Sequence, residues 1–375
     1  AAGIPRRRFG MARLSYGAME LMHGRPLTGP GLRAFEADPA GTPATDPAGD
    51  PEGYLVAMDG GVRIHFLDWG GPSRATGESG ATPGVLLIHG LAQTAWSWAP
   101  VARRLRTVAR VAAMDARGHG LSDAPTAGYE PDQLAEDAIA VAEGAGLLAL
   151  ADDAGAPGGA GQRPFVVVGH GYGAAIAAWT ANALGERCAG LVLVDGGWTD
   201  LPAETGMSPD EWLAAIAEPP EVLRSTAAWL ADGEGFDPAT WGPDQERAAR
   251  AEVVETAAGR VKLAIHPHAL AGSVGALWAY DPADVLTAVD AEIVALAARD
   301  DDAGRHLAGL REMAAARAAG GRSPIRAASF PGLGHNLMRY VPGAVVAAIR
   351  AAAGPPPGSP VSPSPHPAAD RPASG

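Results

Sequence analysis

The sequence predicts an α/β protein in which a doubly wound, mostly parallel sheet of about eight strands carries an inserted helical cap. Short apolar runs such as Val85–Ile88 (VLLI) and Leu191–Val194 (LVLV) are typical of strands buried on both faces, and stretches with a helical pattern alternate with them. Between residues 198 and 285 the alternation stops, and a helical pattern rich in tryptophan replaces it. That interruption predicts the cap.

Changes in composition predict the domain boundaries. Residues 1–50 show no sustained periodicity, and we assign them to a disordered N-terminal extension. The core occupies residues 51–197 and 286–352, on either side of the cap at 198–285. Residues 353–375 form a Pro- and Ser-rich stretch that is expected to be a disordered tail.

The core elements are predicted in chain order. The first is a hairpin, YLVAM and VRIHFLDW, which turns at Asp59-Gly60-Gly61. Strands are then predicted at 85–88, 108–114, 165–169, 191–194, 293–297 and 325–330, and helices at 96–105, 131–149, 174–184, 303–319 and 342–352.

Composition excludes several classes of function. A formal charge of −13 argues against nucleic-acid binding, which needs clustered Lys and Arg. The single cysteine, Cys188, cannot form an intramolecular disulfide. No apolar run approaches the roughly 18 residues of a membrane span, so we expect no membrane association and, by default, a cytoplasmic location. The sequence leaves the oligomeric state open.

Cofactor and metal sites are not expected. The sequence contains no phosphate-binding loop, and Gly169-His170-Gly171-Tyr172-Gly173 lacks the spacing of a dinucleotide fingerprint. His266-Pro267-His268 has too few further ligands nearby in the sequence to indicate a metal. We therefore expect a small-molecule ligand and no cofactor.

The sequence from Phe165 to Ala175, FVVVGHGYGAA, predicts a strand, a sharp turn and a helix. That is the context of a G-x-S-x-G nucleophile elbow, in which a strained turn lifts a reactive side chain above the sheet. The central residue here is Gly171. Glycine has no side-chain atom with which to attack a substrate.

Four segments carry a family resemblance: LLIHG at 86–90, DARGHGLSD at 115–123, VVGHGYGAA at 167–175 and PGLGHNL at 331–337. Each follows or ends a predicted strand, and they occur in the expected order. On these motifs the chain, over residues 54–352, resembles the capped α/β-hydrolase superfamily of esterases and epoxide hydrolases, with Gly171 at the nucleophile position.

The resemblance implies an active site. His335 matches the catalytic base, and Asp301 matches the acid that orients it, with Asp195 as the alternative acid. The backbone N–H groups of Leu91 and Tyr172 match the oxyanion hole. An apolar or aromatic substrate is expected, in a pocket formed by His89, Gln93, Trp96, Tyr172, Trp198 and Trp278.

An active site of this kind with glycine at the nucleophile position leaves three possible functions. Covalent serine catalysis is not expected, because Gly171 supplies no nucleophile. The chain is then a protein of hydrolase ancestry for an ester, lactone or similar small apolar substrate. Alternatively, His335 and Asp301 act as a base in a lyase, isomerase or cofactor-free oxygenase, or the pocket only binds a ligand or partner.

Overall fold

The structure, a computed structural model, describes residues 24–36, 49–72, 82–148, 164–216, 225–298 and 305–354. Its strands are β1 (Arg25–Pro26), β2 (Leu32–Ala34), β3 (Glu52–Ala57), β4 (Arg63–Gly70), β5 (Gly84–Ile88), β6 (Arg110–Met114), β7 (Phe165–His170), β8 (Gly190–Val194), β9 (Val253–Glu255), β10 (Val261–Leu263), β11 (Glu292–Ala297) and β12 (Ile325–Ser329).

The described helices are numbered in the same way. They are α1 (Ala99–Leu105), α2 (Pro131–Gly144), α3 (Tyr172–Leu184), α4 (Leu201–Thr205), α5 (Pro209–Ile216), α6 (Thr226–Phe236), α7 (Pro243–Ala251), α8 (Pro267–Trp278), α9 (Pro282–Ala288), α10 (Arg305–Ala319), α11 (Leu337–Tyr340) and α12 (Pro342–Ala352). No helix in these ranges is long and apolar enough to span a membrane.

A ten-stranded sheet organises the fold, in the order β1-β12-β11-β8-β7-β5-β6-β4-β3, with β2 also paired to β12. The six strands from β12 to β6 are parallel to one another, and β4 and β3 complete one edge as an antiparallel hairpin. The predicted fold class, a doubly wound and mostly parallel sheet, is confirmed.

Helices cover both faces of this sheet. Along β5, Leu86 and Ile88 join a buried cluster with α2 and α3, whereas Val85 and Leu87 join a second cluster with α1 and α12. Because successive strand residues point to opposite faces, a continuous apolar run fills both clusters at once. This explains why β5 contains no polar residue.

The strand register aligns the ends of the central strands. Ile88 of β5 lies opposite Gly169 of β7, and His170 lies opposite Val194 at the end of β8. The residues that follow these three strands therefore meet at one edge of the sheet. In open α/β sheets that edge is where ligands bind.

Two predictions were wrong in part. Residues 24–36 belong to the sheet rather than to a disordered extension, since β1 and β2 pair with β12 and bury Leu27, Leu32 and Phe35. The cap region, predicted to contain only helices, includes a small antiparallel sheet of β9 and β10. The remainder of the predicted extension, except residues 49–50, and the tail from 355 lie outside the described residues.

Candidate active site

Gly171 forms the sharp turn between β7 and α3. Its backbone has φ 52° and ψ −114°, a conformation that residues with a β-carbon rarely adopt. The Gly171 N–H donates to the carbonyl of Val194 at 3.1 Å, so the turn is tied to the end of the neighbouring strand. The residue at position 171 is thereby held at the carboxyl edge of the sheet.

The glycines around this turn differ in which atoms would lie close to an added β-carbon. A β-carbon on Gly169 would lie 2.1 Å from the Gly173 carbonyl oxygen, and one on Gly196 would lie 2.8 Å from the α-carbon of Gly171. Close backbone packing therefore requires both glycines. At Gly171 the nearest atom is instead Nε2 of His335, at 3.1 Å from the β-carbon position. A side chain at position 171 would point at that imidazole.

The opposite edge of the His335 ring is bound to a carboxylate. Nδ1 of His335 lies 2.5 Å from Oδ2 of Asp195, which follows β8 and is fully buried at its side chain. The His335 side chain is 41% exposed, so its Nε2 edge is open to a ligand. Asp195 is thus placed to orient the ring.

A second histidine shares this carboxylate. Oδ1 of Asp195 lies 2.8 Å from Nε2 of His306 on α10 and accepts a hydrogen bond from the Ala298 N–H, also at 2.8 Å. Burial raises the pKa of Asp195, but the hydrogen bonds of His306 and His335 outweigh it and hold the pKa well below its usual value. The carboxylate is therefore ionised at neutral pH.

The two aspartates predicted as candidate acids differ in whether the structure describes them. Asp301, the first choice from the sequence, lies outside the described residues, whereas the alternative, Asp195, contacts His335. Sequence reasoning missed His306 entirely. It belongs to a helix more than a hundred residues from Asp195, and a lone histidine within a helical pattern gives no local signal of such a contact.

A buried network holds the loop that carries His335. The ring of His170 lies 4.2 Å from that of His335 between centroids, and its Nε2 lies 3.1 Å from the His335 carbonyl oxygen. Its Nδ1 lies 3.1 Å from Oε1 of Gln93, whose amide donates to Asn336 at 2.9 Å. Burial, reinforced by the neighbouring His335, lowers the pKa of His170 well below its ordinary value. His170 is therefore neutral and structural.

The loops after β5 and β6 are fastened to each other as well. Asp115 accepts hydrogen bonds from the Ala95 N–H at 2.7 Å and the Leu121 N–H at 3.0 Å. His89 is fully buried and accepts from the Ala116 N–H at 3.0 Å. These bonds hold the two ends, His89 and Ala95, of the loop that contains Leu91.

A cavity of about 470 Å³, here called the elbow cavity, opens above this turn. Gly171, His335, Asp195 and His306 line it, as do both predicted oxyanion residues, Leu91 and Tyr172. Its upper wall comes from the cap and its connections, through Leu201, Glu204, Trp212, Leu277 and Tyr280.

The predicted pocket residues are only partly brought together. Gln93 and Tyr172 line the elbow cavity, although the Tyr172 side chain is buried and stacks on His119 at 5.8 Å between centroids. The other four do not line it. His89 and Trp198 are fully buried, and Trp278 packs on Trp212 at 5.6 Å. Trp96 lines a second cavity, described below.

The His266-Pro267-His268 turn behaves as a surface feature. Nε2 of His268 lies 3.0 Å from the carbonyl oxygen of Ala124. In the described part of the chain, no group of three or more His, Cys, Asp or Glu side chains is arranged to hold a metal ion.

Comparison with known proteins extends these observations. A model of the family described as "Alpha/beta hydrolase family" matches residues 85–349. Epoxide hydrolase 4 of Mus musculus is 29% identical over 165 residues, which are 44% of this chain and 39% of that protein. The 2-(acetamidomethylene)succinate hydrolase of Mesorhizobium japonicum is 40% identical over 60 residues, 16% of this chain and 22% of that protein. The matches span less than half the length of these relatives.

Solved structures share the fold over a longer stretch. The crystal structure of E-2-(acetamidomethylene)succinate hydrolase aligns with a TM-score of 0.60 at 18% identity, over 80% of this chain and 98% of that one. The thioesterase domain from the curacin biosynthetic pathway aligns with a TM-score of 0.57 at 18% identity, over 80% of this chain and all of the other. At these identities the likeness shows the fold alone. The family model, however, spans well over half of the sequence, and by that match the chain belongs to the alpha/beta hydrolase family.

Proposed function

We propose that this protein hydrolyses small apolar esters or lactones by general-base catalysis, without a covalent intermediate on residue 171. One observation carries the proposal: the β-carbon position of Gly171 lies 3.1 Å from Nε2 of His335, whose Nδ1 is bound to Asp195. The base and its orienting acid face the site from which relatives of this fold attack, and the attacking side chain is missing.

In the proposed reaction, Nε2 of His335 takes a proton from water as the water oxygen attacks the ester carbonyl carbon. The backbone N–H groups of Leu91 and Tyr172 stabilise the oxyanion of the tetrahedral intermediate. As that intermediate collapses, the C–O bond to the alcohol breaks and protonated His335 returns its proton to the leaving oxygen. The products are a carboxylic acid and an alcohol, and His335 is regenerated.

The expected rate is modest. General-base catalysis contributes roughly 10²- to 10⁴-fold, and a serine hydrolase stripped of its triad keeps roughly 10³- to 10⁴-fold over water. Restoring a nucleophile should therefore raise activity. In Gly171→Ser, a hydroxyl would lie within hydrogen-bond reach of His335 and follow the covalent route.

The test assays p-nitrophenyl acetate and butyrate with the wild-type protein and with the Gly171→Ser, Gly171→Ala and His335→Ala variants. We expect slow hydrolysis by wild type that His335→Ala removes, with no acyl-enzyme in intact-protein mass spectra. Gly171→Ser should turn over at least tenfold faster and show an acyl adduct, and Gly171→Ala, which adds a β-carbon without a hydroxyl, should not. Wild-type hydrolysis that survives His335→Ala would refute the proposal.

The same base could instead remove a proton from carbon. Wild type should therefore also be incubated with ketones and β-keto acids in D₂O. Exchange that depends on His335, with no ester hydrolysis, would replace the hydrolase assignment by a lyase or isomerase assignment. Gly171→Asp, assayed with styrene oxide, would show whether the scaffold supports epoxide opening.

A further inference from the structure

A second cavity, of about 420 Å³, lies next to the elbow cavity, between the cap helices α6 and α7 and the loop after β12. Three tryptophans line it, and we call it the tryptophan cavity: Trp96, Trp229 and Trp241. Gln93, His335 and Asn336 line both cavities. A molecule that reacts beside His335 can therefore place one part in each.

The tryptophan cavity contains a carboxylate without a partner. Glu252 lines it, is only partly exposed, and has no hydrogen bond or ion pair to its side chain among the described residues. Burial alone raises the pKa of its carboxyl to about 7. A half-buried ionisable group of this kind costs stability unless a counter-charge or hydrogen bond compensates it.

The position of Glu252 in its element adds to that cost. It directly follows α7, where its N–H bonds to the Ala248 carbonyl. The C-terminal end of a helix carries a partial negative charge, so a carboxylate there is unfavourable. Nothing in the described packing of α7 accounts for a glutamate at this position.

The other charged groups that line the cavity are already engaged or exposed. Asp244 accepts two hydrogen bonds from Arg103, at 2.9 and 3.0 Å, and Asp232 is exposed on α6. Arg339 donates to Oγ1 of Thr240 at 2.8 Å. Arg103 already compensates the charge of Asp244, so Glu252 is the cavity-lining carboxylate with no counter-charge among the described residues. Tyr340 and His335 are the titratable groups at the cavity border. An uncompensated carboxylate favours a cation.

The tryptophan rings of this cavity also favour a cationic ligand. Arg247 lies over the Trp96 ring at 4.5 Å, and Arg339 lies over the Trp241 ring at 5.2 Å. Trp229 has no such cation among the described residues. Its Nε1 donates to the carbonyl of Ala249 at 3.0 Å, so the ring packs against the last turn of α7, three residues before Glu252 in the chain. Both residues line the cavity. Aromatic rings with an adjacent carboxylate bind ammonium groups.

We propose that the tryptophan cavity is a binding subsite for an alkyl- or arylammonium group, with Glu252 as the counter-ion and Trp229 as the aromatic wall. The inference deepens the proposed function, since it rests on His335 as the reactive centre and adds a cationic amine, bound in the tryptophan cavity, to an ester or lactone whose reacting part lies in the elbow cavity. Binding is nevertheless measurable without catalysis, so the two proposals can fail separately.

The test uses phenethylammonium and its neutral analogue, 2-phenylethanol, with binding measured by calorimetry and tryptophan fluorescence. At pH 8, where Glu252 is ionised, wild type should bind the cation roughly tenfold more tightly than the alcohol. The preference should disappear in Glu252→Gln and weaken in Trp229→Leu. Glu234→Gln, on the exposed side of α6, is the matched control and should bind as wild type does.

The pH dependence of the affinity for phenethylammonium provides a second, independent test on the wild-type protein. Between pH 8 and 5.5 the Glu252 carboxylate takes up a proton, so the affinity for the cation should fall while that for the alcohol should not. Any pH dependence that arises from groups other than Glu252 is what persists in Glu252→Gln. A pH dependence unchanged in that variant, or equal binding of the two probes by wild type at pH 8, would overturn the proposal.

Discussion

Oδ2 of Asp195 lies 2.5 Å from Nδ1 of His335, at the carboxyl edge of the sheet and directly behind the imidazole edge that faces Gly171. The carboxylate comes from the loop after β8 and the imidazole from the loop after β12. Both loops are fixed by strands of one sheet, so their separation depends on the fold rather than on flexible side chains.

The first prediction concerns which aspartate orients the base. In a Gly171→Ser background, Asp195→Asn should lower kcat by roughly 10³- to 10⁴-fold, because the amide cannot hold the required tautomer or stabilise the imidazolium. Ester hydrolysis under saturating substrate measures it. Asp301→Asn in the same background is the matched control and should change kcat by less than about tenfold. A reversed order of effects would identify Asp301 as the acid.

The second prediction isolates the strain at the turn. Gly171 and Gly185 have nearly the same backbone, with φ 52° and 53°, but a β-carbon on Gly185 meets no atom within 4 Å. Gly185→Ala should therefore report backbone strain alone, on the order of 1–3 kcal/mol of unfolding free energy. Gly171→Ala should cost slightly more, because the His335 ring must move by a few tenths of an ångström.

Urea denaturation of Gly171→Ala and Gly185→Ala measures these losses of unfolding free energy. Gly196→Ala should destabilise the protein more than either, since its β-carbon would lie 2.8 Å from backbone atoms that cannot move independently. If Gly171→Ala proved as damaging as Gly196→Ala, the turn would not have room for a side chain, and a nucleophile could not be restored at that position.

Much of this arrangement could be predicted from the sequence. The apolar runs of β5, β7 and β8 and the glycine-rich turn after β7 identified the sheet edge and the position of Gly171, because strongly periodic or fully buried elements leave clear patterns. The sequence favoured Asp301 over Asp195 as the acid, although both follow predicted strands. The contact of Asp195 with His335 depends on the three-dimensional placement of two distant loops, which the sequence pattern does not record.

The two short N-terminal strands and the roles of the individual tryptophans could not be recognised from local sequence patterns. Strands β1 and β2 have two and three residues and are held by backbone pairing to β12, which side-chain patterns do not record. The pocket prediction chose tryptophans by residue type, yet Trp198 packs beneath His306 at 4.9 Å between ring centroids. A large aromatic ring packs in a hydrophobic core as readily as it lines a cavity.

The third prediction concerns His306 as a positioning residue. Nε2 of His306 lies 2.8 Å from Oδ1 of Asp195. Loss of this donor frees one oxygen of Asp195 from the bond that helps to fix the orientation of the carboxylate towards His335. In the Gly171→Ser background, His306→Ala should therefore lower kcat roughly tenfold and leave KM within about twofold.

His306→Gln, whose amide N–H can donate to Asp195, should restore part of kcat. A purely structural role would lower the free energy of unfolding without a selective loss of kcat. An unchanged kcat in His306→Ala, or a loss of kcat that His306→Gln does not reduce, would contradict the positioning role.

The last prediction concerns the stability cost of Glu252. Burial raises the pKa of its carboxyl from 4.5 to about 7, so between these values the folded protein keeps a proton that the unfolded chain releases. Its contribution to stability is therefore complete below pH 4.5 and is lost as pH rises through 7. Glu252→Gln removes this loss and should be more stable than wild type at pH 8.5 by up to about 3 kcal/mol, less the part that solvent screens because the side chain is partly exposed, with little difference at pH 4.5. Thermal and urea unfolding at both pH values measure the effect, with Glu234→Gln as the exposed control. Equal stability of wild type and Glu252→Gln at pH 8.5 would mean that the carboxylate is solvated, and the cavity would then not demand a counter-ion.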